Sequence, residues 1–273
     1  MMKPVRVVPR RIWREDGPSV GNRSIPEETA VALTYDGGTY AVMMATPQDL
    51  EDFAVGFSLS EGVITSSADI HSLDIVPLDE GVELRMWLSK PKADRLRERR
   101  RHIAGPTGCG LCGIESIAEA MRPAAVIGPC AQFSPEQIMI AMQDLPSRQK
   151  LNIETRAVHA AAFWDVTSGI IALREDVGRH NALDKLAGAI ARASIVASEG
   201  VILLTSRVSV EMVQKSAAIG ASVMVSVSAP TALAVRMADA AGITLAAIAR
   251  ADGFEVFTHP FRIAYRAAPV MTR

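Results

Sequence analysis

The sequence predicts an α/β protein in which a three-layer α/β domain with a mainly parallel sheet follows a smaller α+β domain. Three observations carry this. From about Gly128 strand and helix patterns alternate, the first half holds two hairpin signals around one helical pattern, and a glycine-rich segment with two cysteines lies between the halves. The chain divides into an N-terminal arm (1–24), a small α+β domain (25–104), a Cys loop with its following helix (105–127), and an α/β domain (128–273).

In the first half, Ala30 to Tyr35 and Thr39 to Ala45 flank Asp36-Gly37-Gly38, a turn signal that joins antiparallel strands. Thr46-Pro47 opens a helix with Leu50, Phe53, Ala54 and Phe57 on one face and Gly62 shortly after its end. Ile70 to Leu78 and Gly81 to Leu88 form a second hairpin, because Val82, Leu84, Met86 and Leu88 alternate with more polar positions.

In the second half, Ile170 to Arg174 is a strand, followed by a helix carrying Leu183, Leu186, Ala187 and Ile190, and then the strand Val201 to Thr205. Ser209 caps the next helix, with Glu211 in its first turn and Gly220 at its end. Val223 to Val227 is strand again, Ser228-Ala229-Pro230 starts a helix that stops at Gly242, and Ile243 to Ala249 closes the series. Such alternation builds a three-layer domain.

Gly108-Cys109-Gly110-Leu111-Cys112-Gly113 holds two of the three cysteines. Glycine adds backbone freedom and no packing, which suits a segment that must reach. Thiolate is the nucleophile, and a Cys-x-x-Cys pair lowers one pKa, so either sulfur can attack and the other resolve. A structural zinc site needs four ligands, and Cys130 has no partner at ligand spacing. A thioredoxin-like redox pair fits too, since Ile114, Ile117, Ala118 and Met121 repeat at helical spacing behind Cys112. Taken alone, the motif leaves redox chemistry and sulfur transfer open. Seven basic residues from Lys90 to Arg101 approach the loop, either as a solvated helix face or as an electropositive approach that favours thiolate.

The composition sets the context. The chain has 273 residues, about half of them apolar, and a formal net charge of −1, so it is a soluble globule whose overall charge gives no reason to bind nucleic acid. An odd count of three cysteines argues for reduced thiols in the cytosol, not a secreted disulfide framework. No signal-peptide core follows the basic start, and no run of about eighteen apolar residues occurs, so a cytoplasmic protein without a membrane span is expected.

In a parallel α/β sheet, ligands sit beyond the carboxyl ends of the strands. The residues there are Arg174 to Lys185, including Arg179 and His180, then Thr205-Ser206-Arg207-Val208-Ser209, then Ser226 to Thr231 with Ser228, and near the C-terminus Phe257-Thr258-His259-Pro260-Phe261-Arg262. Arginines, hydroxyls and free helix amino ends suit a phosphate or pyrophosphate, which suggests an anionic, nucleotide-like ligand. The bland alternative for Asp176, Arg179, His180 and Asp184 is an ion-paired helix start that merely organises its loop. A satisfied structural histidine is the corresponding alternative for His259; His71 and His102 are read as surface residues.

The motifs at 108–115, 174–185, 207–215, 227–231 and 258–260, with Val-Met-Met-Ala-Thr-Pro at 42–47, resemble the formate dehydrogenase accessory sulfurtransferases, the FdhD family. The resemblance spans about residues 25 to 265. It implies a cytidine-deaminase-like α/β domain without that fold's zinc site, and a homodimer. It implies that sulfane sulfur passes from a cysteine desulfurase, as a persulfide on Cys109 assisted by Cys112, to a molybdenum or tungsten bis(pterin guanine dinucleotide) cofactor. That cofactor, a bound acceptor, then serves formate dehydrogenase. Phe257 to Arg262 would lie on the guanine dinucleotide, and no resident metal is implied. A thiol-disulfide oxidoreductase and a non-covalent cofactor chaperone are the competing readings. Ser206 departs from the family's Gly-Arg-Val-Ser run, and Thr155-Arg156-Ala157 departs from a glycine-richer segment before His159.

Overall fold

The computed structural model describes residues 2–93, 122–128 and 131–264. Cys109, Cys112, Cys130 and the basic positions from Arg95 to Arg101 lie outside them.

The segment expected to be an arm is a two-stranded antiparallel ribbon, β1 (Val5–Arg14) paired along its length with β2 (Gly17–Pro26). Pro9 is tolerated because each strand of an isolated ribbon is an edge. β3 (Thr29–Tyr35) and β4 (Gly38–Ala45) form the first hairpin, with Asp36 and Gly37 both at positive φ, as a two-residue turn requires. β5 (Ile70–Leu78) and β6 (Gly81–Leu88) form the second, and β3 pairs in parallel with β6 to give the order β4-β3-β6-β5.

Helix α1 (Leu50–Ser60) covers this sheet, burying Phe53 and Phe57 against Val31, Leu33, Leu84 and Met86. It begins later than Thr46-Pro47 suggests. Asp49, at φ 54°, turns the chain immediately before it, and Thr46 is occupied elsewhere.

The larger sheet has the order β12-β11-β10-β9-β7-β8. Its strands are β7 (His159–Asp165), β8 (Gly169–Asp176), β9 (Val201–Leu204), β10 (Val223–Ser226), β11 (Thr244–Arg250) and β12 (Gly253–Val256). The protein is α/β, but the sheet is mixed and not mainly parallel. Only the β9–β10 and β10–β11 pairings are parallel, while β7 lies antiparallel to β9, β8 to β7 and β12 to β11, which leaves β8 pointing the same way as β9.

Helices α2 (Pro135–Arg148) and α3 (Lys150–Thr155) precede this sheet in the chain. Ser134 and Gln137 cap α2 reciprocally, with Pro135 at its first turn. Helices α4 (Arg179–Arg192), α5 (Val210–Ala218) and α6 (Ala232–Ala240) follow β8, β9 and β10. Along β9, Ile202 and Leu204 face α4, α5 and α6, whereas Val201 and Leu203 face α2, which makes three layers.

The two sheets meet through helices. A Cβ at Gly56 of α1 would lie 1.7 Å from the Asp184 carbonyl oxygen, and one at Gly188 of α4 would lie 1.9 Å from that of Asp52. The helices therefore cross with their backbones in contact, and only glycine fits at either position. Gly188→Ala must force α1 and α4 apart, an overpacking cost of about 2–3 kcal/mol. A lowered urea midpoint with unchanged m-value is the expected result; an unshifted midpoint would mean that the crossing yields freely.

Candidate functional site

Two kinds of residue share the stretch between β8 and α4. Asp176 accepts hydrogen bonds from Lys185 Nζ (2.6 Å), Thr46 N (3.0 Å), Gly178 N (2.8 Å) and Asn181 Nδ2 (3.0 Å). Lys185 also donates to Thr46 O, and Asn181 to Met44 O. Asp184 accepts from Ser60 Oγ (2.6 Å) and Lys215 Nζ (2.9 Å). These side chains are buried and bind the large-sheet unit to the small one. For Asp176 and Asp184 the bland alternative therefore holds.

Arg179 and His180 behave differently. They open α4, whose N-cap Gly178 supplies no side-chain bond, and Ser209, the N-cap of α5, makes no capping bond with its hydroxyl either. His180 Nε2 lies 3.9 Å from Glu211 Oε2 in the first turn of α5. Among the described residues, the buried atoms Arg179 Nε, His180 Nε2, Ser209 Oγ and Glu211 Oε2 have no hydrogen-bond partner. Burial, with Arg179 and Lys215 adding to it, lowers the His180 pKa to about 4, so the ring is neutral near pH 7. The His159 pKa is lowered as well, by burial and by Arg179. Lys215 keeps its charge, since Asp184 and Glu61 outweigh the burial that opposes it.

The loops after β9 and β10 are joined to each other. Ser226 Oγ donates to Ser206 O (2.6 Å), Ser228 N donates to Ser226 Oγ (3.1 Å), and Thr231 N donates to Val208 O (2.9 Å). Ser206, buried, turns its own hydroxyl to Arg207 O at ordinary backbone φ, so serine is unstrained where the family pattern has glycine. Arg156 is instead at φ 59°, which explains a preference for glycine there. Arg207 is exposed. The carboxyl edge of the sheet thus brings together Arg179, His180, Ser206, Arg207, Ser209 and Ser228, and adds Glu211, for which the sequence marks only a helix-starting role.

Phe257 to Arg262 is not with them. Because β12 runs antiparallel to β11, the stretch after it returns to the amino edge, across a strand of roughly 20 Å. Thr258 Oγ1 accepts from Leu245 N and donates to Ile243 O, and Arg262 Nη1 donates to Gly242 O, so both buried side chains serve the backbone. The His259 ring lies 2.9 Å from Asp239 O at the end of α6. Phe257 and Phe261 are exposed. The sequence reading placed all eleven of these cofactor contacts at one set of strand ends; within one chain they occupy two opposite edges.

The chain segment that holds the two thiols leaves the described structure after Ala93 and returns at Arg122. Arg122 Nη2 donates to Ser60 O (3.4 Å), and its carbonyl accepts from Gln214 Nε2 (2.8 Å). No group of three or more His, Cys, Asp or Glu side chains suited to a metal ion occurs among the described residues.

The depressed His180 pKa has a measurable consequence. Between pH 6.5 and about 4 the folded protein binds less of this proton than the unfolded chain, so stability is lost as pH falls through that range. From pH 7.5 to 5 the His180 share is about 2 kcal/mol. His180→Gln should lose less unfolding free energy than the wild type over that interval, measured by urea denaturation. Equal losses would mean that His180 is charged in the fold.

The FdhD/NarQ family model matches residues 26–264. A protein of Agrobacterium fabrum named sulfur carrier protein FdhD is 51% identical over 259 residues, covering 94% of this chain and 96% of that protein. One of Cupriavidus necator with the same name is 48% identical over 256 residues, covering 94% and 89%. The crystal structure of a formate dehydrogenase accessory protein from Desulfotalea psychrophila superimposes with a TM-score of 0.77 at 24% identity, covering 96% of this chain and all of that one. That likeness shows a common fold. With a family model matching most of its length and relatives about half identical along it, this chain belongs to the FdhD/NarQ family.

Proposed function

We propose that this protein is a sulfurtransferase that takes sulfane sulfur from a cysteine desulfurase as a persulfide on Cys109. It delivers that sulfur to the molybdenum or tungsten bis(pterin guanine dinucleotide) cofactor required by formate dehydrogenase, working in the cytoplasm as a homodimer. The observation that carries this is the Gly-Cys-Gly-Leu-Cys-Gly pair in a chain half identical, over almost its whole length, to a protein named a sulfur carrier.

In the loading step the Cys109 thiolate attacks the outer sulfur of the donor's persulfide. A new S–S bond forms on Cys109, the donor's S–S bond breaks, and the electron pair leaves with the donor's cysteine thiolate. The basic residues from Lys90 to Arg101 favour the attacking thiolate. Cys112 assists release of the sulfur.

The carboxyl edge suits the acceptor's anionic groups. Arg179 and Arg207 supply forked donors, and the amino ends of α4 and α5 carry no side-chain caps. His180, neutral, adds a ring nitrogen without desolvating a charge. On the opposite edge, the exposed Phe257 and Phe261 rings offer stacking surfaces to the guanine dinucleotide. No described helix is long and apolar enough to cross a membrane.

The test is mass measurement after incubation with a cysteine desulfurase and cysteine. A gain of one sulfur (~32 Da) on the loop peptide, absent in Cys109→Ala and kept in Cys112→Ala, is expected. A reversible Cys109–Cys112 disulfide with no added sulfur would replace this reading with thiol redox chemistry. Activation of formate dehydrogenase by Cys109→Ala would replace it with non-covalent sheltering of the cofactor.

A further inference from the structure

The β1–β2 ribbon stands outside both sheets, and the site described above makes no use of it. Directly opposed residues of an antiparallel pair share a face, so Val7 with Ser24, Pro9 with Asn22, Arg11 with Val20 and Trp13 with Pro18 lie on one side. That side is wet and largely apolar, with Trp13 83% exposed, Val20 81% and Val7 63%. A two-stranded ribbon is only marginally stable in water, and a contiguous apolar face left exposed on it marks a contact with another protein. At ten residues per strand the ribbon runs roughly 33 Å, far longer than a small ligand.

The charge of the ribbon defines the chemistry of that protein. Residues 5–26 carry five arginines against Glu15 and Asp16, a net charge of +3 in a chain of net −1. Arg6 pairs with Glu27 (2.8 Å), but Arg10, Arg11, Arg14 and Arg23 meet no carboxylate among the described residues. Unpaired cations beside an apolar stripe complement an acidic surface with an apolar centre. They repel the same ribbon of a second copy.

The fastening of the ribbon places it near the thiol segment. Arg23 Nη2 donates to Thr155 O (3.1 Å) at the end of α3. At the start of α3, Leu151 N and Asn152 N both donate at 2.8 Å to Glu175, which lies at the carboxyl end of β8. The ribbon is thus anchored at the carboxyl edge. The chain that carries the thiols rejoins the fold by the same edge, where Gln214 of α5 bonds the Arg122 carbonyl. The sequence leading to those thiols, Lys90 to Arg101, has the ribbon's sign of charge. A protein that brings sulfur to them therefore meets positive charge from both. The ribbon precedes residues 26–264, so the family match gives it no role.

We infer that the β1–β2 ribbon is a docking arm for the sulfur donor, a cysteine desulfurase with an acidic surface beside its persulfide-bearing cysteine. The inference rests on the proposed sulfur-carrier function and adds to it the surface on which the donor is received.

The experiment titrates the full-length protein with a cysteine desulfurase by calorimetry. It also follows sulfur on Cys109 by mass, supplied either by that desulfurase with cysteine or by inorganic polysulfide. The variants are Arg11→Glu with Arg14→Glu, and Trp13→Ser with Val20→Ser; all four side chains are exposed, so an unchanged melting temperature will show that each variant folds. Each pair should weaken desulfurase binding about 10- to 30-fold and slow loading from it. Loading from polysulfide, which needs no docking, should stay that of the wild type. Added salt should weaken wild-type binding, since the arginines are solvent-exposed.

Unchanged desulfurase binding in both variants overturns the assignment, and so does equal slowing with polysulfide. A fall from dimer to monomer in the variants would put a second copy on the ribbon instead. Normal loading with lost activation of formate dehydrogenase would put that enzyme there. Desulfurase binding that the variants weaken, with no sulfur reaching Cys109 of the wild type, sustains the arm and removes the sulfur carrier. Loading from polysulfide in a wild type that binds no desulfurase does the reverse.

Discussion

The contact between α1 and α4 is what the rest of the structure depends on. Their backbones touch at Gly56 and Gly188, so neither helix can slide along the other without a clash. Each helix also belongs to a different sheet. α1 covers the four-stranded sheet, and α4 covers the six-stranded one. Buried ion pairs then fix the register of the contact. Lys185 with Asp176 and Lys215 with Asp184 both reach across to Thr46 or Ser60. Removing one partner of such a pair costs about 3–5 kcal/mol, because it strands a buried charge. The first turn of α4, with Arg179 and His180, is thereby held at a fixed place on the carboxyl edge.

That arrangement separates two chemistries in space. The carboxyl edge holds cations, uncapped helix ends and a neutral imidazole. The amino edge holds the exposed rings of Phe257 and Phe261. An extended ligand with both anionic groups and flat rings finds complementary surfaces at the two, but not side by side within one chain. The direction of β12 is responsible. Had it been parallel to β11, Phe257 to Arg262 would lie at the carboxyl edge with Arg207.

Much of this was legible in the sequence, and the failures have physical causes. The second hairpin's limits agree with the observed strands, because Val82, Leu84, Met86 and Leu88 alternate along β6 and are buried. The ribbon β1–β2 is not legible in the sequence because Pro9, Pro18, Gly17 and Gly21 read as loop, and no buried face imposes alternation on it. β7 escapes a pattern-based reading because it lies in the interior of the sheet with both faces covered. His-Ala-Ala-Ala-Phe-Trp-Asp then shows no period of two. The capping box Ser-Pro-Glu-Gln at 134–137 was a usable signal for α2, and Asp252-Gly253 before Phe254 was one for the β11–β12 reversal. Within the 174–185 motif, which residues turn inward and which face the edge depends on contacts with residues 44–60, and these are remote in the chain.

Those remote contacts also set an order of events during synthesis. Thr46 waits for Asp176 and Ser60 waits for Lys215, separations of 130 and 155 residues. The cysteine segment lies inside both loops. At a synthesis rate of about 5–20 residues per second, α1 spends roughly 6–30 s with its second face uncovered before α4 and α5 emerge. A helix that is buried nearly all round in the finished protein is then, for that interval, an amphiphile with too much apolar surface. The nascent chain must therefore keep this helix shielded until the second half of the protein has been made.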